Sequence, residues 1–177
     1  MEPIIHFVAP FVALVAAGVK PKKSFLLALL GLIPDIDAIL LVHRSFTHSI
    51  IVIFLVMAPL IVAAYRLGRG VSTSLQALFV LISHAIFDFV TDYTPILWPL
   101  DSRGYWLHMA LMVHVGDAAK TALYVYLLTE PSSFSNFQNM DAPLFTGEGL
   151  IISVVLVFPV LLKLLKPALS EIKDRVR

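Results

Sequence analysis

The sequence predicts an all-α fold: a polytopic transmembrane helical bundle with about five spans and one re-entrant or partly buried helix. Two observations that support this fold class come from composition: 59% of the 177 residues are hydrophobic, and only 14% are charged. An ordinary globular domain is about half apolar and about a quarter charged. The third observation is that the apolar residues gather into runs close to the ~20 residues that cross a bilayer. No internal repeat is visible, so we expect a single domain over residues 1–177.

Each predicted helix corresponds to one apolar run. The predicted spans are Pro3–Val19, Ser24–Val42, Thr47–Leu67, Ser72–Val90 and Gly149–Leu165. Glu2 stands where a secretory signal carries positive charge, so we expect the first run to be retained as a helix. The second is interrupted at Pro34, which has no N–H to continue a helix. Tyr105–Leu128 holds four histidine or charged residues, His108, His114, Asp117 and Lys120, so we expect it to be re-entrant or partly buried.

Charge limits the class of function and predicts an orientation. A net charge of +1 argues against a broad basic surface for nucleic acid, and no nucleic-acid partner is expected. Because the chain has no cysteine, a metal site would need histidine and carboxylate ligands. Lysines and arginines follow the first and third helices and fill the C-terminal tail. The positive-inside rule therefore predicts a multi-pass protein of the inner membrane with these cationic segments in the cytoplasm.

Polar residues from distant parts of the sequence collect at the opposite, extracytoplasmic ends of the predicted helices. They are His6, Asp35, Asp37, His43, Arg44, His48, His84 and Asp88. An aspartate at the centre of a membrane helix costs about 2.5 to 3.5 kcal/mol on insertion scales, so such residues usually mark a site. A divalent cation shared by histidine nitrogens and carboxylate oxygens would offset that cost. Helix capping and hydrogen bonds between helices are the structural alternatives.

Local spacing also favours convergence. His84 and Asp88 are four residues apart and share one face of a helix. Asp35 and Asp37 would point to different sides of a regular helix, but a break at Pro34 would let both turn towards one point. Irregular backbone at membrane depth indicates a cavity lined by protein or water.

Three short blocks resemble a known family. The blocks "GLIPDID", "HRSFTHS" and "HAIFDFVTDYTPILWP" are similar to the signatures of the YdjM-like membrane-bound metal-dependent hydrolases. Those signatures are a histidine in the first helix, G-x-x-P-D-x-D, H-R-x-x-T-H-S, and H-x-x-x-D-x-x-T-x-Y-G before a Trp-Pro. The resemblance runs from about His6 to Pro99 and more weakly to Asp117. Thr94 replaces the usual glycine, and Ala118 replaces the proline that follows the aspartate.

The resemblance implies a ligand set and a reaction class. The implied metal ligands are His6, Asp35, Asp37, His48, His84 and Asp88. Zinc is the expected ion, in one or more copies, with manganese or nickel as alternatives. The family is distantly similar to zinc-dependent phospholipase C and to single-strand-specific zinc nucleases, which implies phosphoester hydrolysis here. Asp37 is a predicted catalytic residue that could bridge metals or orient the attacking water.

Two further polar residues of the block "HRSFTHS", His43 and Arg44, have more than one possible role. His43 is the second predicted catalytic residue, and it could be a metal ligand, a partner of a ligand or a proton shuttle. Arg44 is predicted to bind substrate, because its planar fork suits phosphate. The alternative for Arg44 is an interfacial cation that snorkels to the headgroups.

Together these residues predict an integral membrane hydrolase in which metal-activated water attacks a phosphoester of a lipid or lipid-linked substrate. Two rival functions use the same residues. An ion or metal transporter would place its site near the midplane, whereas these residues crowd one end. A non-catalytic scaffold stabilised by metal would need no open coordination position.

Overall fold

The computed structural model describes residues 2–42, 44–115, 120–134, 136, 138 and 143–175. In chain order the main elements are α1 (Pro3–Ala16), α2 (Pro21–Ala28), α3 (Ile50–Arg66), α4 (Val71–Thr91), β1 (Arg103–His114), β2 (Lys120–Pro131) and α5 (Gly147–Arg175). Three 3-10 helices lie between α2 and α3, at Leu29–Leu32, Pro34–Leu40 and Phe46–His48. α1 packs against α2, α4 and α5, and α3 packs against α4, so α1 and α4 form the centre of the helical part.

Helix boundaries follow from prolines, a glycine and a hydroxyl cap. Pro3 and Pro21 occupy the first positions of α1 and α2, where a helix does not use the missing N–H. Gly70 precedes α4 with φ +84°, a conformation that glycine adopts without steric cost. Ser49 caps α3 by accepting a hydrogen bond from the backbone N–H three residues on. It also donates to the Trp98 carbonyl, which holds the loop after α4 against the start of α3.

The predicted second span, Ser24–Val42, is interrupted at Pro34 as expected, but it is not a membrane-spanning helix, because its α-helical part already ends at Ala28. The α-helix ends after eight residues, and two 3-10 helices follow it. Pro34 begins the second of them, because a proline is tolerated in a first turn and not in a helix interior. The irregular backbone carries Asp35 and Asp37.

The predicted bundle of about five spans is also wrong. Among the described residues two helices are long and apolar enough to cross a membrane, Val71–Thr91 with 21 residues and Gly147–Leu165 with 19. α1 and α3 are apolar but have 14 and 17 residues. At 1.5 Å per residue they extend about 21 and 26 Å, less than the ~30 Å hydrocarbon core. The apolar run of α1 continues past Gly18, whose φ of +85° ends the helix.

The predicted re-entrant helix is a β-hairpin, so the all-α prediction fails there too. β1 and β2 pair antiparallel from Arg103 opposite Pro131 to His114 opposite Lys120. β2 is rich in tyrosine, threonine and valine, and β1 contributes Tyr105 and Trp106, residue types that pack well on a pleated surface. The hairpin is tied to the end of α4, because Thr94 and Tyr105 exchange two backbone hydrogen bonds of 2.9 Å.

The apolar core of the helical part lies directly beside the polar site. Its buried members are Leu14, Leu27, Ile53, Met57, Ala77, Val80 and Ala85. His84 and Asp88 continue the buried face of α4 one and two turns beyond Val80. Many apolar side chains of α3 and α5 are exposed, a pattern that suits helices facing lipid.

Candidate metal centre

Six of the eight predicted polar residues converge on one buried point. α1 supplies His6, the second 3-10 helix supplies Asp35 and Asp37, the third supplies His48, and α4 supplies His84 and Asp88. The three histidines and Asp88 have no solvent-exposed surface. Arg44 contacts this group from outside. His43 lies outside the described residues.

Four of these side chains form an alternating ring of nitrogen and oxygen atoms. His48 Nε2 lies 3.2 Å from Asp88 Oδ2 and 3.4 Å from Asp35 Oδ1. His84 Nε2 lies 3.3 Å from the same Asp88 oxygen and 3.6 Å from the same Asp35 oxygen. Ligand atoms from all four residues lie within 4.8 Å of one another. We call this group, Asp35, His48, His84 and Asp88, the four-residue cluster.

The cluster fits a divalent metal ion. With metal–ligand bonds of 2.0 to 2.2 Å, neighbouring ligands of a tetrahedral zinc ion stand roughly 3.3 to 3.6 Å apart, which matches the four N–O distances. Buried polar atoms normally have partners. His84 Nε2 and Asp35 Oδ2, however, are buried and make no hydrogen bond within the described part of the chain. Two carboxylates with two neutral imidazoles carry a charge of −2, which a divalent cation neutralises.

The backbone fixes the orientation of His84. Its Nδ1 lies 2.7 Å from the Gly31 carbonyl oxygen, so Nδ1–H donates there and Nε2 is left to face the cluster. A hydrogen bond to the far ring nitrogen is the usual way to orient a metal-binding histidine. Gly31 also lies close to α1, because a Cβ at this position would collide with the His6 carbonyl oxygen.

We therefore expect Gly31→Ala to disturb two cluster contacts at once. The added methyl group must push α1 and the Leu29–Leu32 segment apart, which moves His6 and the carbonyl that orients His84. Metal content, measured by elemental analysis, should fall at least severalfold, and the thermal unfolding temperature should drop. Gly147→Ala is the matched control, since a Cβ there meets no atom within 4 Å. Equal metal content in both variants would contradict the orienting role.

His48 is oriented from its other side by Asp37. Asp37 Oδ2 lies 3.4 Å from His48 Nδ1 and accepts hydrogen bonds from the Ser45 N–H at 2.8 Å and the Thr47 hydroxyl at 3.0 Å. Asp37 is thus on the ring edge opposite the cluster, and the structure does not bring it into the group of four. This arrangement suits a carboxylate that holds a ligand histidine in place.

Negative charge dominates the electrostatics around His48. Burial lowers the pKa of His48, but its contacts with Asp35, Asp37 and Asp88 raise that pKa more, to about 10. The surrounding carboxylates therefore attract positive charge to this point. A metal cation bound at Nε2 would take the place of the proton.

His6 adjoins the cluster without belonging to the group of four. Its ring stacks on His84 with 3.8 Å between ring centroids, and its Nε2 lies 3.4 Å from Asp88 Oδ1. Asp88 therefore faces His6 with one oxygen and the cluster histidines with the other. His6 is placed to join a second ion or to hold Asp88 in position.

Arg44 connects the cluster to the protein surface. Its Nη2 lies 3.6 Å from Asp88 Oδ1, and its Nη1 lies 2.7 Å from Asp92 Oδ2 and donates to the Tyr93 carbonyl at 3.3 Å. The backbone of Arg44 has φ +55°, a left-handed conformation that costs a non-glycine residue roughly 1 kcal/mol. Such strain is often found at functional sites. The guanidinium is 13% exposed and lies at the mouth of a polar cleft.

The sequence alone missed several contributors to the site. Gly31, Ser45 and Thr47 lie inside the blocks that carry the resemblance, but nothing in their residue types marks them as partners of ligands. The Asp92 side chain is 57% exposed, yet its Oδ2 lies 2.7 Å from Arg44 Nη1. The available signal was a second aspartate four residues after Asp88, at the position that follows the last residue of α4.

Membrane-length helices beside a buried group of histidines and aspartates define a small membrane protein with a candidate metal site. Over residues 1–165 the chain matches the family model described as YdjM inner membrane protein, and the chain belongs to that family. The predicted family and the predicted location in a membrane are thereby confirmed. No curated protein and no solved structure matches the chain.

Proposed function

We propose that the protein is a metal-dependent hydrolase that cleaves a phosphoester of a lipid or lipid-linked substrate. The observation that carries the proposal is the four-residue cluster, a buried set of two imidazoles and two carboxylates with the spacing of metal ligands. Asp35, His48, His84 and Asp88 would hold the ion, and zinc suits this donor set best. When bound, a divalent ion supplies a Lewis acid for a phosphoryl oxygen and lowers the pKa of water.

The chain's own residues supply the remaining parts of a phosphoester site. Asp37 and the Gly31 carbonyl keep the Nε2 atoms of both cluster histidines directed inward. Arg44 places a guanidinium next to Asp88, where it can attract a phosphate oxyanion. Its Nε is buried and makes no hydrogen bond within the described residues.

The location of the cluster supports a lipid-like substrate. His84 and Asp88 lie in the last two turns of α4, a helix of membrane-spanning length. The cluster is therefore near one end of the apolar helices, where phospholipid headgroups lie. A transport site would be expected near the midplane.

Purified protein tests the proposal directly. Prepared without chelator, it should contain about stoichiometric zinc, manganese or nickel by elemental analysis, and it should hydrolyse at least one substrate in a panel of phospholipids, prenyl diphosphates and nitrophenyl phosphoesters. Chelator should abolish hydrolysis, and the removed ion should restore it. The double change His84→Ala with Asp88→Ala should remove both metal and activity. Bound metal without hydrolysis of any panel member would favour a metal-stabilised scaffold, and metal retained in the double variant would reject the cluster.

We also propose that the cluster faces the extracytoplasmic side, as the distribution of lysines and arginines predicts. Ser72 and Ser102 are both exposed; Ser72 is in the first turn of α4, and Ser102 lies beyond the other end of that helix. A cysteine at Ser102 should react with an impermeant thiol reagent on intact cells, whereas one at Ser72 should react only after lysis. The chain has no native cysteine to add background. Labelling of the Ser72 position alone on intact cells would invert the orientation.

A further inference from the structure

Two cavities of opposite character are lined by residues that contact the four-residue cluster. The first is a polar cleft of about 200 Å³, with Arg44, Asp92, Glu130, Ser132 and Ser133 in its lining. The second is an apolar groove of about 380 Å³, with Ile33, Ile36, Val42, Phe46 and Phe134 in its lining. Each is connected to the cluster by one residue, since Arg44 contacts Asp88 and Asp37 contacts His48.

The boundary between the cavities is formed by two chain segments. Arg44 lines the polar cleft, and the next residue, Ser45, lines the apolar groove. Likewise Ser133 lines the cleft and Phe134 lines the groove. At both crossings the chain changes from polar to apolar surroundings within one residue, so the cleft and the groove are adjacent compartments.

The groove is open and apolar in a protein that lies among lipids. Ile33 and Phe46 are about half exposed along it. Its polar edge consists of Asp37, Ser45 and Thr47, and these groups already hydrogen-bond one another. The rest of the groove therefore offers few hydrogen-bonding partners to a polar ligand and a continuous surface to a hydrocarbon chain.

We infer that the substrate is a phospholipid-like amphiphile, whose acyl chain occupies the apolar groove while its headgroup occupies the polar cleft. This rests on the proposed function for the phosphoester that would lie at the cluster. A molecule with one polar and one apolar end matches the polar cleft with its first end and the adjacent apolar groove with its second. A wholly polar phosphoester would leave the groove unused, and a lipid without a polar headgroup would leave the cleft unused.

Blocking the apolar groove should remove the preference for a substrate with a long alkyl chain and should leave the four-residue cluster in place. The test compares kcat/KM for the hexyl and methyl esters of nitrophenyl phosphate at one detergent concentration. Each methylene buried in an apolar site improves binding by up to about fourfold. The hexyl/methyl ratio should be at least tenfold in the wild type and should fall at least fivefold in Ile33→Trp, which places an indole in the groove. Leu26→Trp is the matched control, because it fills a separate apolar pocket beside Phe11 and Phe25 and should keep the wild-type ratio.

Photolabelling gives a readout that does not depend on hydrolysis. A phosphatidylethanolamine with a diazirine on its acyl chain, in nanodiscs, should label peptides containing Phe46 or Phe134. Excess hexyl phosphate should reduce that labelling, hexanol should not, and Ile33→Trp should abolish it. If Ile33→Trp does not fold, Phe134→Ala serves instead, since it removes one wall of the groove and should lower both signals.

The outcomes separate this inference from the proposed function. Phosphate-sensitive labelling with no hydrolysis of any substrate would keep the lipid site and reject the hydrolase. Hydrolysis with the same hexyl/methyl ratio in the wild type, Ile33→Trp and Leu26→Trp would keep the hydrolase and reject the groove. Labelling of these peptides that hexanol and hexyl phosphate reduce equally would show only general contact with lipid and would also overturn the inference.

Discussion

Asp88→Asn should release the metal and destabilise the protein more than any other single change in the cluster. The Asp88 carboxylate is buried, and its two oxygens lie within 3.2 to 3.4 Å of nitrogen atoms of three histidines, His6, His48 and His84. An asparagine keeps the shape but removes the charge and replaces one carboxylate oxygen with an N–H donor, so it offers a divalent ion a weaker ligand. Removing one member of a buried ionic group costs on the order of 3 to 5 kcal/mol.

Loss of the metal should account for part of the loss of stability. In the wild type, chelator should lower the thermal unfolding temperature, because an ion that binds only the folded state stabilises it. In Asp88→Asn the unfolding temperature should be low already and insensitive to chelator, and elemental analysis should find little metal. Asp101→Asn is the control: this carboxylate lies in the loop before β1, pairs with Arg103 and should keep full metal content. Full occupancy in Asp88→Asn would remove Asp88 from the ligand set.

The site could be anticipated from sequence because its residues are chemically conspicuous. Aspartates and histidines inside apolar runs are costly, so their positions alone indicated convergence. The i, i+4 spacing of His84 and Asp88 predicted a shared helix face, and both are buried on one face of α4. The contacts that orient these side chains could not be predicted from the sequence in the same way. Gly31 acts through its carbonyl and through the absence of a Cβ, and neither property depends on a recognisable side-chain function.

The errors in the fold have one physical origin. Hydropathy measures how apolar a run is and not which backbone it adopts, and strands and helices of similar composition are hard to separate on that basis. Tyr105–Leu128 was therefore predicted as a helix, although its aromatic and β-branched residues pair as a hairpin. The number of spans was overestimated for a related reason. The apolar run Ser24–Val42 was counted as one span, but its α-helix ends at Ala28 and Pro34 begins a separate 3-10 helix.

Arg44→Lys should lower kcat/KM for a hydrolysed phosphoester by about tenfold or more. The guanidinium of Arg44 reaches Asp88 with one terminal nitrogen and Asp92 with the other, while its Nε is unused within the described residues. A lysine keeps the charge but has one nitrogen, so it cannot hold Asp92, approach Asp88 and bind a phosphoryl oxygen together. Paired, charge-assisted hydrogen bonds are the contacts that this change removes.

Arg103→Lys provides the matched comparison. Arg103 is also an arginine paired with an aspartate, but it is 54% exposed on β1 and touches no cluster residue among those described. Exposed ion pairs contribute little to stability, so this variant should behave like the wild type. If replacing any arginine by lysine were enough to lower activity, Arg103→Lys and Arg44→Lys would lose activity to the same extent.

Metal affinity then separates the two ways in which Arg44 could act. If Arg44 binds the substrate phosphate, Arg44→Lys should bind zinc as tightly as the wild type in a competition assay with a coloured chelator, and the kinetic loss should remain at saturating metal. If Arg44 only positions Asp88, zinc affinity should fall, because losing a residue that holds a metal ligand typically weakens metal binding 10- to 100-fold. Excess zinc should then restore the rate.

We expect Arg44 to bind the substrate phosphate, because its 3.6 Å separation from Asp88 is longer than a strong ion pair and leaves the guanidinium available at the cleft. A snorkelling arginine predicts neither pattern, since lysine reaches headgroups equally well. Unchanged kinetics and unchanged zinc affinity in Arg44→Lys would therefore exclude Arg44 from the site.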